Sequence, residues 1–457
     1  MRSLLPWVLA AASACHTVAP YANTDASGPR DAAADRGTVL DGTGDRGPRD
    51  AGDLGSLPDG RPRDGATDLV LARDAQPLCA PGCTLGCTST GSCLAVSNVT
   101  AAQLSAVSSC GDLRLDAPAL LDTTTCEAKQ LTGPCGGTHG KLRLVQSGGG
   151  QPACLWVLRT LTVDSQLNVR GTAPLIIVAD RVEITSGNGI DLTASQSTAG
   201  AGGYAAGLGP ASGTSCGCSI AASDDCGGGG GGNGTAGGSG GADISACATP
   251  PTGGGTIANP FSPLVGGSGG ASGGNIHATA TAGTGGGGGG AIQLSARERL
   301  RLDGKIVATG GGGGGATAND SSAGGGGGGA GGTILLESFD VSGSGCLTTK
   351  GGAGGGGVHA DAGDTESSQA GEDGPVNCNA DAASGGKGVR GTTGAVTDGG
   401  DGATLLQDGV SALGVVAPRV GGAGAGGGGG GMGQVGLRCP SCGSISLKVA
   451  GRLVRLP

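Results

Sequence analysis

Ala291-Ile292-Gln293-Leu294-Ser295-Ala296 leads through Arg297–Gly304 into Lys305-Ile306-Val307-Ala308, and Thr333-Ile334-Leu335-Leu336-Glu337-Ser338 opens a matching stretch that ends at Lys350. Both alternate apolar with polar residues at period two, the pattern of a strand with one face turned inward. Uninterrupted glycines bound them, at 285–290, 310–315 and 324–329. Working outward, the same unit recurs at 154–171, 174–193 and 435–457, with shorter alternations at Leu113/Leu115 and Leu142/Leu144. Each unit divides into three short strands, and 154–171 and 174–193 follow one another almost without insertion. That is the pattern of a parallel β-helix in which each unit is one rung. The expected fold is all-β: a short right-handed parallel β-helix over 111–457, three strands per rung.

The inserts 194–290, 309–332 and 351–434 then all leave after a third strand and return before a first, so they emerge from one corner. Two readings of them compete. Glycine is costly to order, by roughly 0.5–1 kcal/mol per residue relative to Ala. Extended polyproline-II-like segments can, however, approach backbone to backbone when no side chain intervenes. Cysteines within the inserts favour partial order.

Composition sets limits. Glycine makes up 106 of 457 residues and aromatics 1%, leaving Trp156, Tyr204, Phe261 and Phe339 as the useful aromatic stock. A core must therefore be thin and built from Val, Ile and Leu. A net charge of −9 gives no footprint for nucleic acid.

Residues 1–14 read as a signal peptide that ends Ala12-Ser13-Ala14 before Cys15. This resembles a bacterial lipobox, with Ala12 where Leu is usual, and implies an acyl anchor on Cys15 holding the protein to a lipid bilayer. Ala12 and Ala14 also fit ordinary secretory cleavage. Of 17 cysteines, removing Cys15 leaves an even set for an oxidising compartment. The expected location is the outer membrane or cell surface, or else the medium. Residues 15–78, rich in Asp, Arg, Pro, Gly and Ala, read as a disordered tether.

A cysteine module occupies 79–110, with Cys79, Cys83, Cys87 and Cys93 expected in two local disulfides rather than a zinc site, since no His lies nearby. Cys110, Cys126, Cys135, Cys154, Cys216, Cys218, Cys226, Cys247, Cys346 and Cys378 are further disulfide candidates, as is the pair Cys439 and Cys442.

The whole arrangement resembles a set of glycine-rich surface lipoproteins of myxobacteria and relatives, Gly331-Gly332-Thr333-Ile334-Leu335-Leu336-Glu337 being the most specific phrase. The resemblance implies a surface address and no activity.

Catalytic motifs are absent in context. Gly-x-Gly-x-x-Gly occurs without a following helix, and Gly237-Gly238-Ser239-Gly240-Gly241 matches a nucleophile-elbow string only inside a loop. His16, His139, His277 and His359 are scattered. The outward charged residues Asp164, Arg170, Glu183, Asp191, Arg299, Arg301 and Asp303 read as dispersed, and the acidic patches 361–373 and 398–408 as solvated loops. No catalytic residue, metal or cofactor is expected. The function expected is a non-enzymatic structural or adhesive surface role, with surface polysaccharide or other surface proteins as partners. The alternatives are a carbohydrate-active β-helix lyase or hydrolase, and a polymer- or ice-binding module using the glycine face.

Overall fold

Stacked repeats of like residues let each strand pair its backbone with the next repeat and bury its inward Val, Ile or Leu against the same residue type above and below. The computed structural model describes residues 83–87, 93–131, 134–215, 225–242, 251–275, 278–379, 381–392, 396–403, 424–440, 442 and 445–457. All lie in one compact unit, Leu71–Pro457. The residues expected to form a signal peptide and tether, with Cys15, Cys79, Cys216, Cys218 and Cys247, lie outside the described residues.

The described chain is all-β apart from one short helix. β1 (Gly86–Cys87) and β2 (Cys93–Leu94) pair antiparallel, and α1 (Ala101–Ser105) follows, opened by a capping box between Thr100 and Gln103. Next come β3 (Asp112–Leu115), β4 (Ala119–Asp122), β5 (Glu127–Lys129) and β6 (Lys141–Leu144). The repeats begin with β7 (Ala153–Val157), β8 (Thr160–Val163) and β9 (Gln166–Arg170), then β10 (Leu175–Ile184) with β11 (Gly189–Asp191), and β12 (Ala291–Leu302) with β13 (Lys305–Val307). After β14 (Thr317–Asn319) and β15 (Ser322–Ala323) come β16 (Thr333–Ser338), β17 (Val341–Ser342) and β18 (Cys346–Thr348). The last elements are β19 (Val358–His359), β20 (Thr365–Ser367), β21 (Val389–Arg390), β22 (Gln434–Arg438), β23 (Lys448–Ala450) and β24 (Arg452–Arg455).

Two large sheets result. One runs β24-β22-β16-β12-β10-β7-β6, with β3, β8 and β17 beside this path, and the other runs β23-β18-β13-β11-β9-β4-β5. Every link among the repeats is parallel. Cys154, Leu175, Ile292, Ile334, Val435 and Leu453 fall in one column. Leu167, Ile190, Ile306, Leu347 and Val449 fall in another. Most of these side chains belong to one buried cluster. Each such Leu or Ile gains roughly 1.5–3 kcal/mol over an exposed position.

The outward face of the first strands is buried as well, so Ala291–Ala296 has no exposed residue. Leu85, Leu94, Val96 and Val99 lie on Leu155, Ile176 and Leu335 there, with Phe261 and Leu264. A polar network closes this contact. Glu337, wholly buried, accepts from Ser97 N (3.1 Å), Gln293 Nε2 (2.8 Å) and Ser295 Oγ (2.8 Å), with Arg438 Nη1 at 3.6 Å.

Several expectations are corrected. Leu142/Leu144 does not begin a parallel repeat. β6 pairs antiparallel with β7, and Cys110–Cys135 and Cys126–Cys154 tie this end together. Residues 435–457 are not one unit, because β24 pairs in parallel with β22 and so starts a further repeat. In β10 and β12, two expected strands are fused into one.

Candidate functional site

The glycine runs lie between β11 and β12, between β13 and β16, and between β18 and β22. Their described glycines form a hydrogen-bonded layer of extended segments. In 324–332 every N–H is used, in rotation. Gly324, Gly327 and Ala330 donate to Gly274, Ala271 and Ser268; Gly325, Gly328 and Gly331 donate to Ala425, Gly428 and Gly431; Gly326, Gly329 and Gly332 donate to Gly314, Gly311 and Ala308. The same segment accepts from 283–289, from 228–231 and from 352–355. A three-residue rotation is that of polyproline II, whose backbone groups all point away from its own axis.

Only glycine permits this approach. A Cβ on Gly325 would fall on Gly355 O, one on Gly327 on Gly229 O, and one on Gly328 on Gly352 O. The layer therefore follows the second of the two sequence readings.

Carboxylates finish its edges. Asp373 Oδ1 accepts from Gln196 N (2.8 Å) and Gly312 N (2.7 Å). Asp398 accepts from Gly388 N (2.8 Å) and Lys387 Nζ (2.7 Å), and Asp401 from Gly385 N (2.8 Å). Asp361 takes the hydroxyl and N–H of Thr392. Asp361, Asp373, Asp398 and Asp401 thus fasten backbone of the layer, Asp398 and Asp401 while still exposed, and residues 404–408 of the second patch lie outside the described residues. Burial alone would raise the Asp398 carboxyl, but the Lys387 and Gly388 hydrogen bonds together outweigh it and hold the group below the usual carboxylate range. Among the described residues no His, Cys, Asp and Glu cluster suits a metal ion.

The second feature is a charged outer face on β3, β8, β10, β12 and β17. Parallel register sets Asp112, Thr160, Arg181 and Arg299 in one row and Arg114, Thr162, Glu183, Arg301 and Ser342 in the next. A bulge interrupts β12: Ala179 pairs with Ala296 but Arg181 pairs with Arg299. The extra residue breaks the alternation and leaves Arg297, Glu298 and Arg299 exposed in succession. Ion pairs then cross the strands: Arg114–Asp164 (2.6 Å), Arg297–Asp180 (2.8 Å), Arg181–Glu298 (2.6 Å), Arg299–Asp340 (3.5 Å) and Arg301–Glu183 (3.8 Å), while Arg301 also pairs with Asp303 two residues on (2.6 Å). Arg170 pairs with Asp191 at 3.5 Å on the other ladder. Hydrogen bonding from Arg301 holds Asp303 below the carboxylate range, and the Arg159 bond does the same for Asp112.

Of the charged residues that looked dispersed, Asp164, Glu183, Arg299, Arg301 and Asp303 are therefore brought to one face, while Arg170 and Asp191 stay on the other ladder. Asp112, Arg159, Asp180, Arg181, Arg297, Glu298 and Asp340 escaped notice because strand register, bulge included, decides which of them meet. A groove of about 530 Å³ opens here over the β10 backbone at Val182, lined by Thr160, Arg181, Glu183, Glu298, Arg299 and Arg301.

Two lysines are withdrawn from solvent. Lys141 donates to the carbonyls of Cys135 (2.7 Å), Gly137 (3.0 Å) and His139 (3.2 Å) and stands 4.8 Å over Trp156. Burial pushes its amine down to about 8. Lys350 donates to Asp381 O (2.9 Å) and Asn377 Oδ1 (3.1 Å). Disulfides join Cys83–Cys93, Cys346–Cys378 and Cys439–Cys442, while Cys87 and Cys226 are also disulfide-bonded.

Comparison with protein-family models, curated proteins and solved structures finds no match to this chain.

Proposed function

We propose that this chain is a structural or adhesive protein of the cell surface, a lipoprotein anchored through Cys15, in which a right-handed parallel β-helix with three strands per rung carries a glycine layer on one corner. The observation that carries the reading is that layer. Its N–H groups are spent on neighbouring backbone, as in 324–332, and its side chains are nearly all hydrogen. Such a surface offers little for general acid–base or nucleophilic chemistry, which needs titratable groups within hydrogen-bond reach of a substrate. It suits a rigid covering. The even set of cysteines beyond Cys15 and the bridges Cys110–Cys135, Cys126–Cys154 and Cys346–Cys378 favour an oxidising exterior.

The test is palmitate labelling and fractionation of bacteria that express the chain with its own leader. Labelling and membrane retention are expected to disappear in Cys15→Ala, with the protein released to the medium. Unlabelled wild-type protein, or a variant that stays cytoplasmic and reduced, would refute the reading.

A further inference from the structure

We infer that the charged groove over β8, β10 and β12 binds a linear, uncharged polysaccharide lying across the strands. This goes beyond the proposed surface role and concerns a different face from the glycine layer. The groove's volume of about 530 Å³ falls in the range of small-ligand sites, roughly 300–1,000 Å³. Its walls are polar, and the Val182 side chain beneath it is buried in the core, so the groove presents hydroxyl, guanidinium and carboxylate groups.

Register gives the site its direction. The rows Thr160–Arg181–Arg299 and Thr162–Glu183–Arg301–Ser342 run perpendicular to the strands. They advance by about 4.8 Å per strand. A polymer of pyranose units laid along them would meet the hydroxyls of Thr160 and Thr162 on one strand and charged donors and acceptors on the next two.

The groups themselves suit hydroxyls. A sugar hydroxyl both donates and accepts, so vicinal hydroxyls are matched by a guanidinium fork beside a carboxylate. Arg181 Nε lies 2.6 Å from Glu298 Oε2, and Arg301 Nη1 lies 3.8 Å from Glu183 Oε1, so each donor stands next to its acceptor before any ligand arrives. The bulge in β12 is what turns Glu298 to the surface beside Arg181. Exposed pairs of this kind add little to stability, typically about 0–1 kcal/mol. A stack of them along one groove is therefore better explained by what it holds than by what it stabilises.

Charge selects the ligand class. Arg181, Arg297, Arg299 and Arg301 face Asp180, Glu183, Glu298, Asp303 and Asp340, each within salt-bridge distance of a partner. Four guanidiniums against five carboxylates leave no surplus positive charge, which argues against uronate polymers and nucleic acids and for a neutral glycan.

The experiment is titration calorimetry of the purified full chain with linear neutral glucan oligosaccharides and with oligogalacturonates of matched length. Neutral glucans are expected to bind, and uronates not. Arg181→Ala combined with Arg299→Ala is expected to weaken glucan binding at least about tenfold, the loss of one charge-assisted hydrogen bond. Lys387→Ala, an equally exposed ion-pair variant in the glycine layer, is expected to leave it unchanged. Equal urea midpoints in all three proteins show that the folded state is compared. Absence of glucan binding, preference for uronates, or undiminished binding in the double variant would overturn the inference. The surface reading, tested by lipidation, would stand or fall separately.

Discussion

Replacing Gly328 by Ala tests whether the glycine layer is held by backbone contact. Gly328 donates to Gly428 O at 2.8 Å, and its neighbour Gly329 accepts from Gly352 N at 2.9 Å. A Cβ at 328 would collide with Gly352 O and approach Ala353 O, both backbone atoms of a segment that is itself bonded on other sides. Nothing at the site can rotate away. Overpacking a rigid site costs roughly 1–3 kcal/mol, and a lost backbone hydrogen bond adds about 0.5–1.5 kcal/mol. Against this, Ala for Gly stabilises by about 0.4–1 kcal/mol through the unfolded chain. The net expectation is a loss of about 1–3 kcal/mol. Gly255 provides the control: it is exposed, with nothing within 4 Å of an added Cβ. Gly255→Ala is expected to be neutral or slightly stabilising. Amide hydrogen exchange over 324–332 reads the difference, as protection reduced roughly fivefold to more than a hundredfold in Gly328→Ala alone. Equal protection in the two variants would refute a layer held by close backbone approach.

Three further outcomes are expected. Glu337→Ala removes the acceptor shared by Ser97, Gln293 and Ser295 in a wholly buried site, and urea unfolding should record a loss of about 3 kcal/mol. Cys346→Ser with Cys378→Ser opens a loop of 32 residues, worth about 3–4 kcal/mol by chain entropy, and should hasten proteolysis within 351–379. Lys141 titrates near 8 in the folded chain and near 10.4 unfolded, so the unfolded state binds more protons between those values. Stability should therefore be insensitive to this group below about pH 8 and rise between about 8 and 10.4. Urea midpoints of Lys141→Met, compared with wild type across that window, should lack the increment.

Period-two alternation was enough to find the repeats. Residues 154–171, 174–193, 291–308 and 333–350 coincide with β7–β9, β10–β11, β12–β13 and β16–β18, because inward Leu, Ile and Val leave a local signal. Where the partner decides the outcome, that signal fails. Leu142 and Leu144 alternate like any strand, yet they turn back antiparallel on β7 because disulfides close that end. Arg452–Arg455 looks like the end of its unit, and only pairing with Gln434–Leu437 reveals it as a new start. The charged groove depends on a one-residue bulge that no period records. Glycine segments carry no side-chain pattern, so their order could be stated only as one of two possibilities. Asp373 and Asp398 looked solvated for the same reason: their partners are backbone N–H groups that no local pattern marks.

The close backbone approach in the layer also has a genetic side. Third-position changes in a glycine codon are silent, but any first- or second-position change that yields another amino acid introduces a Cβ. At Gly325, Gly327 or Gly328 that atom meets a carbonyl of the next segment, whatever residue it belongs to. Conservative and radical replacements are thus equally unwelcome there, whereas a change at Gly255 meets open space. The plainest-looking part of the chain is the part with the fewest acceptable spellings.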